Sequence, residues 1–158
     1  NAINKLLRFG NKSRLLAICV GDIRRPVKCW DADKFTELLK IQKENFSGVI
    51  FLGGDLDAER TDEVASRINI PYINTIGSSL LETAAFLEHS ILYVGPDSGV
   101  GHIAAAVKTP VISFFSVDNP ERCRPWGRSV ICLKGANNDA RNISIENVNS
   151  SIQEILNE

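Results

Sequence analysis

The chain has 158 residues, 44% hydrophobic and 23% charged, with a formal net charge of −1. That composition reads as one soluble domain able to bury a core, and it disfavours disorder. It also disfavours a nucleic-acid binder built on phosphate contacts, with a local basic patch left open.

No apolar run approaches the roughly 20 residues of a membrane span, and no signal peptide is recognisable. A start at Asn1 rather than Met leads to the expectation of a piece cut from a longer protein. Residues 1–13, with Lys5, Arg8 and Lys12 and no sustained pattern, read as a linker or the end of a preceding element, and residues 14–158 as the folded domain. Residues 15–20 predict a buried strand, followed by a loop from Gly21 to Trp30. Asp31 is placed to cap a helix whose core face is Phe35, Leu38, Leu39 and Gln42. A second strand over 49–52 ends in Gly53-Gly54-Asp55, and a helix from about 57 to 68 turns Val64, Ala65 and Ile68 inward. A short strand near 72–76 follows. Ser79 and Glu82 then fit a capping box, in which each side chain satisfies the other residue's backbone donor, opening a helix that runs to about His89.

Residues 91–94 predict the next strand, and the small residues 99–106 a close-packed helix, with Gly95-Pro96-Asp97-Ser98 turning between them. An apolar strand over 110–115 leads into a long loop containing Asp118, Asn119, Pro120, Pro125 and Gly127. A strand over 129–133 and a helix capped by Ser144, with Ile145, Val148, Ile152 and Ile155 on one face, complete the pattern. Strand and helix alternate throughout, so the expected fold is α/β: an open, doubly wound, Rossmann-like parallel sheet of about six strands. The four cysteines, Cys19, Cys29, Cys123 and Cys132, show no zinc-ligand spacing; reduced thiols are expected, with a bridge between Cys123 and Cys132 left open.

The turn at 95–101 is the candidate site. A helix start presents unpaired N–H groups and the positive end of a dipole, and Gly95, Gly99 and Gly101 read as room for a ligand against the backbone. Asp97 and Ser98 at that corner add a carboxylate acceptor and a hydroxyl donor, which suits phosphate beside sugar. The same Asp-Ser-Gly also serves as an ordinary N-cap, and His102, one turn on, equally suits packing. In an open parallel sheet the strands' carboxyl ends lie on one edge, so Lys28, Asp55, Asp97 and the helix start at Gly99 are expected to converge. A cation, two acids and an anion-binding helix start suit a nucleotide diphosphate carrying a sugar. No G-x-G-x-x-G follows the first strand and no Walker-type lysine follows a glycine loop, which disfavours redox and NTPase roles.

The run from Val94 to Pro120 holds Asp97-Ser98-Gly99, His102 after two residues, Ala104-Ala105-Ala106, an apolar strand and an Asp/Pro loop. With Lys28-Cys29-Trp30, it resembles the C-terminal domain of the ADP-heptose:lipopolysaccharide heptosyltransferase family, glycosyltransferase family nine, over about residues 15–156. The resemblance implies the C-terminal half of a two-domain B-type glycosyltransferase that adds a sugar to lipopolysaccharide core or a related surface glycan. This half would hold the nucleotide-sugar donor, ADP-linked by preference. The N-terminal half would hold the lipid-linked glycan acceptor and the catalytic base, leaving no catalytic residue here. By the matching motif, Lys28 would meet a donor phosphate, Asp55 the ribose, Asp97 the sugar hydroxyls, and Ser98 and Gly99 the diphosphate, while His102 would brace the turn or approach the phosphate.

No metal and no cofactor beyond the substrate are implied. Ser98 stands where the family usually has Thr, and Asp55 where it usually has the longer Glu. Ile23 and Arg24 replace hydroxyl residues, so Arg24 or Arg25 is expected to supply phosphate contacts. Trp30 reads as packing rather than a platform for a base. Glu121, Arg122, Arg124 and Trp126 would close over the donor or face the other domain. A cytoplasmic location is implied, with a peripheral place at the inner face of the bacterial inner membrane left open. A non-catalytic nucleotide-binding module and a part of a nucleotide-sugar epimerase are the competing readings.

Overall fold

The computed structural model describes residues 2–10 and 13–158, so Lys12 lies outside the described residues. Six parallel strands form one sheet: β1 (Leu15–Ile18), β2 (Gly48–Phe51), β3 (Tyr72–Asn74), β4 (Leu92–Pro96), β5 (Val111–Phe115) and β6 (Val130–Lys134). Their order is β3-β2-β1-β4-β5-β6, with all neighbouring pairs parallel. The chain winds outward from β1 to β3, then returns to the centre and winds the other way from β4. The order therefore reverses between β1 and β4, and the crevice beyond their carboxyl ends is where such sheets bind ligands.

Both faces of the sheet are covered, which is why the central strands are continuously apolar rather than alternating. Leu16, Ile18, Val49, Phe51, Leu92, Val94, Ile112 and Phe114 pack towards α2 (Ala32–Gln42), α3 (Ala58–Ala65) and α7 (Ile145–Leu156). Leu15, Ala17, Cys19, Ile50, Leu52, Tyr93 and Val111 pack towards α1 (Ala2–Leu6), α4 (Leu80–Glu88) and α5 (Gly99–Ala106). Phe35, Leu38, Leu39 and Gln42, the expected core face of α2, are all buried.

Two of the caps form as the sequence predicts. The Glu82 N–H donates to Ser79 Oγ at 3.3 Å while the Ser79 N–H donates to Glu82 Oε2 at 3.1 Å. The Asn147 N–H donates to Ser144 Oγ at 3.1 Å. Asp31 occupies the N-cap of α2 through its backbone alone; its carbonyl accepts from Phe35, and its carboxylate makes no capping bond.

Differences concentrate in short elements. The described part of the N-terminal stretch is helical over Ala2–Leu6 and continues in a single tight turn, with Leu6 buried and the Phe9 ring lying over Gly48 of β2. α3 begins at Ala58, behind a 3₁₀ turn over Asp55–Asp57, and ends at Ala65 rather than 68, where the Arg67 N–H turns in to the Val64 carbonyl at 3.0 Å. The loop after β5 contains a four-residue helix, α6 (Pro120–Cys123), started by Pro120 and capped by Asn119, whose side-chain oxygen accepts from the Glu121 N–H at 3.0 Å.

Candidate functional site

A cavity of about 420 Å³ opens at the reversal point between β1 and β4. Four chain segments line it. The loop after β1 brings Gly21, Asp22, Arg25, Lys28 and Cys29; the end of β2 brings Gly53, Gly54 and Asp57; the turn into α4 brings Ser78, Leu80 and Thr83; and the corner after β4 brings Asp97, Ser98 and Gly99. Parallel topology alone gathers these residues, since every segment leaves the sheet at the same edge.

The loop after β1 is held by its own bonds. Arg24 Nε donates to both Asp22 oxygens at 3.2 Å, Nη2 donates to Oδ2 at 2.8 Å, and the backbone N–H adds a bond to Oδ1 at 2.9 Å. These bonds hold the Asp22 carboxyl below the usual carboxylate range. They also occupy Arg24, which does not line the cavity, whereas Arg25 does. Gly21 adopts φ +98, and a methyl there would lie 2.5 Å from Cys29 Sγ, so both conformation and space require glycine.

Lys28 Nζ bonds Asp118 Oδ2 at 2.7 Å, joining the β1 loop to the loop after β5. That bond holds the Asp118 carboxyl below the usual carboxylate pKa range. Asp97 is shifted the other way. Loss of water around its carboxyl raises its pKa most, and the Asp118 charge adds to this, while Lys28 and His102 pull it down. The Asp97 N–H donates to the Phe114 carbonyl at 2.8 Å, tying the corner to β5.

Of the residues singled out in the sequence, Lys28, Arg25, Asp97, Ser98 and Gly99 come together around the cavity. Asp55 does not line it; it is exposed, with its carboxyl beside Gly77. The acid facing the cavity from this segment is Asp57, because the 3₁₀ turn carries it back over Gly54, whose N–H donates to Asp57 Oδ2 at 2.7 Å. Burial raises the Asp57 pKa, against the pull of that bond. A signal for it exists in the sequence, since an acid three residues after a chain-turning glycine is placed to accept from that glycine's N–H. His102 is exposed on α5, outside the cavity lining.

The glycines of the corner divide by role. A methyl at Gly95 would lie 2.3 Å from the Tyr93 hydroxyl oxygen and 3.1 Å from Cys19 Cβ, and one at Gly101 would lie 3.4 Å from the Tyr93 ring. Gly95 therefore makes room for a buried tyrosine rather than for a ligand, while a methyl at Gly101 would meet the ring at ordinary contact distance. Gly99 has nothing within 4 Å of that position and faces open space. Gly95→Ala is accordingly expected to destabilise the fold by about 1–3 kcal/mol through overpacking. Gly99→Ala should leave the melting temperature nearly unchanged while weakening any ligand seated on the helix start. Thermal denaturation of the two variants checks the contrast; equal losses would contradict the division.

Ser98 holds the N-cap position of α5, yet its side chain makes no capping bond, and its buried Oγ has no partner. An unengaged hydroxyl, the N–H groups of a helix start and Lys28 in the same cavity are the kinds of donor that an anion requires. Burial raises the thiol pKa of both Cys19 and Cys29, so they line the site as protonated, weakly nucleophilic groups. Among the described residues no cluster of three or more His, Cys, Asp or Glu is arranged to hold a metal ion.

Residues 4–153 match, as a family, glycosyltransferase family 9 (heptosyltransferase). The chain belongs to glycosyltransferase family 9. Over 112 residues it is 38% identical to lipopolysaccharide heptosyltransferase 3 of Escherichia coli (strain K12), a match covering 68% of this chain and 33% of that protein. The crystal structure of the glycosyl transferase family 9 from Veillonella parvula DSM 2008 superposes with a TM-score of 0.87 at 21% identity, covering 98% of this chain and 50% of that one. E. coli heptosyltransferase WaaC with ADP superposes at 0.81 and 18% identity, covering 98% and 48%. These two likenesses establish the fold. The chain thus spans about a third of the length of the curated relatives it matches and about half of the solved chains. Within family 9 structures it corresponds to one Rossmann-like half.

Proposed function

We propose that this domain holds the nucleotide-diphosphate sugar of a family 9 glycosyltransferase, and that the full-length protein transfers a heptose-like sugar to a lipid-linked acceptor such as lipopolysaccharide core. The observation that carries the reading is Ser98 Oγ, buried without a partner beside the open helix start at Gly99, in a cavity shared with Lys28 and Asp97. The diphosphate sits on the Ser98 hydroxyl and the first N–H groups of α5, with Lys28 as its counter-charge. Asp97 accepts from sugar hydroxyls. Asp55, exposed beside Gly77, is the acid proposed for the ribose, and Asp57 shapes the Gly53-Gly54 turn. In transfer, negative charge grows on the departing diphosphate, where fixed donors and a lysine stabilise it more than they stabilise the bound donor. The base that activates the acceptor comes from the rest of the protein.

Adenine is the favoured base. Support comes from solved relatives of the same fold, one holding ADP and another ADP-2-deoxy-2-fluoro heptose. No helix among the described residues is long and apolar enough to cross a membrane. A place at the cytoplasmic face of the membrane that carries a lipid-linked acceptor belongs to the same proposal.

An NMR titration of the full-length protein with ADP, UDP, GDP and CMP tests the reading. ADP is expected to shift the amides of residues 95–102 and those around Lys28. No response at that corner to any of the four at millimolar concentration would overturn it, and a different nucleotide winning would change the base alone. Lys28→Ala is expected to weaken ADP by about 1–3 kcal/mol, the scale of a hydrogen bond to a charged group. The same substitution removes the partner that lowers the pKa of Asp118, so a carbon-detected carboxyl titration should show that pKa moving up towards the ordinary range. An unchanged Asp118 would mean that the ion pair does not form in solution.

A further inference from the structure

Tyr93 is the second residue of β4, fully buried, with its ring beneath the first turn of α5. A methyl at Gly95 would meet the Tyr93 hydroxyl oxygen first, so the backbone makes room for the hydroxyl, and what remains to be explained is the hydroxyl. It has no hydrogen-bond partner, and Ser98 and Cys19 are its polar neighbours. Buried polar groups without partners are uncommon, and here two hydroxyls, those of Tyr93 and Ser98, share the condition at one corner. Ser79 and Ser144 cap their helices with their side chains; Ser98 occupies the equivalent position with φ −158 and ψ 168 and leaves its hydroxyl unused.

We propose that Tyr93 is a positioning residue for the bound diphosphate, its hydroxyl donating to Ser98 Oγ so that the serine proton is presented to a phosphate oxygen. The inference rests on the reading of Ser98 as a ligand contact. A hydroxyl has one proton and two acceptor lone pairs. When an anion takes the Ser98 proton as a hydrogen bond, the freed lone pairs face Tyr93, and the chain Tyr93 O–H to Ser98 O–H to phosphate satisfies all three groups. Each bond in such a chain polarises the next, which strengthens the last one to the anion. Burial raises the Tyr93 pKa well above its usual value, so the phenol keeps the proton that it has to donate. Lys28 supplies charge to the ligand; Tyr93 supplies direction to a contact it does not itself make.

A double-mutant cycle on ADP affinity in the full-length protein tests this, using wild type, Tyr93→Phe, Ser98→Ala and the double variant. Tyr93→Phe keeps the ring and leaves no cavity, so the ligand-free melting temperature should stay level or rise. Its ADP affinity should fall about fivefold, the scale of one neutral hydrogen bond. Ser98→Ala should lose about tenfold or more, and the double variant no more than Ser98→Ala alone. Wild-type affinity in Tyr93→Phe, or an equal Tyr93 effect with and without Ser98, would overturn the inference and leave the donor site standing. Failure of the wild type to bind ADP or any other nucleoside diphosphate at that corner would overturn both.

Discussion

Trp30→Ala is expected to destabilise the domain by about 3–5 kcal/mol, the cost of deleting a large buried aromatic side chain. Trp30 is fully buried, and its indole N–H donates to the Ile143 carbonyl at 2.9 Å, just ahead of α7. Its ring meets Phe35 of α2 edge-on and Phe114 of β5 at a tilt, both at 5.2 Å between centroids. Lys34 Nζ stands 5.9 Å from the ring centre, and the Trp30 carbonyl accepts from Arg60 of α3. One side chain therefore ties the β1 loop to α2, α7 and the sheet, and truncation leaves both a void and a less well satisfied carbonyl. Trp30→Phe should cost about 1–2 kcal/mol, since it preserves part of the packing. Because the indole does not line the cavity, Trp30→Phe should bind ADP like wild type wherever both are folded. Urea denaturation and ADP titration of the two variants decide between packing and base stacking; unchanged stability with lost ADP affinity would make Trp30 a ligand platform.

The sheet was legible because its physics is local. Strands covered on both faces read as unbroken apolar runs, and Ser79, Glu82 and Ser144 mark helix starts by residue type and spacing. The convergence of Lys28, Asp97, Ser98 and Gly99 was also legible, since parallel strands deliver their carboxyl ends to one edge. α1 and α6 were not, because helices of five and four residues are too short to show a period. The choice between Asp55 and Asp57 turns on a 3₁₀ turn that no apolar pattern announces. The partner of Lys28 lies 90 residues away, in a loop whose path depends on the whole crossover from β5 to β6. The glycines of the corner show a subtler limit. Glycine means space, but the sequence does not say for what. Tyr93 and Gly95, two apart on a strand, share a face, and that spacing is the one hint that the space at Gly95 is taken from within.

Asp97→Asn is expected to raise thermal stability while weakening the donor, and the pairing of the two effects follows from where its carboxyl sits. Desolvation and the Asp118 charge raise the Asp97 pKa, so the ionised form is disfavoured in the folded state relative to the unfolded one. The penalty is absent at pH values below the ordinary carboxylate pKa, grows as pH rises from there to the raised value, and is fully present above it. Asparagine carries no such penalty. Its melting temperature should exceed that of wild type near neutral pH, and the difference should shrink on acidification. Ligands then separate the possible roles of the carboxylate. Against a nucleotide sugar, Asp97→Asn replaces an acceptor-only group by one with a single acceptor oxygen, and affinity for an ADP-sugar should fall by about 1–3 kcal/mol. Against ADP alone, it removes a negative charge from beside a diphosphate, and affinity should stay level or tighten. Calorimetric titration of both ligands over the same pH range checks this. Equal weakening of ADP and ADP-sugar would place the carboxylate against the nucleotide rather than the sugar. A melting temperature that falls would mean that the ionised carboxyl is already well paired in the folded protein, with Lys28 rather than Asp118 dominating its surroundings.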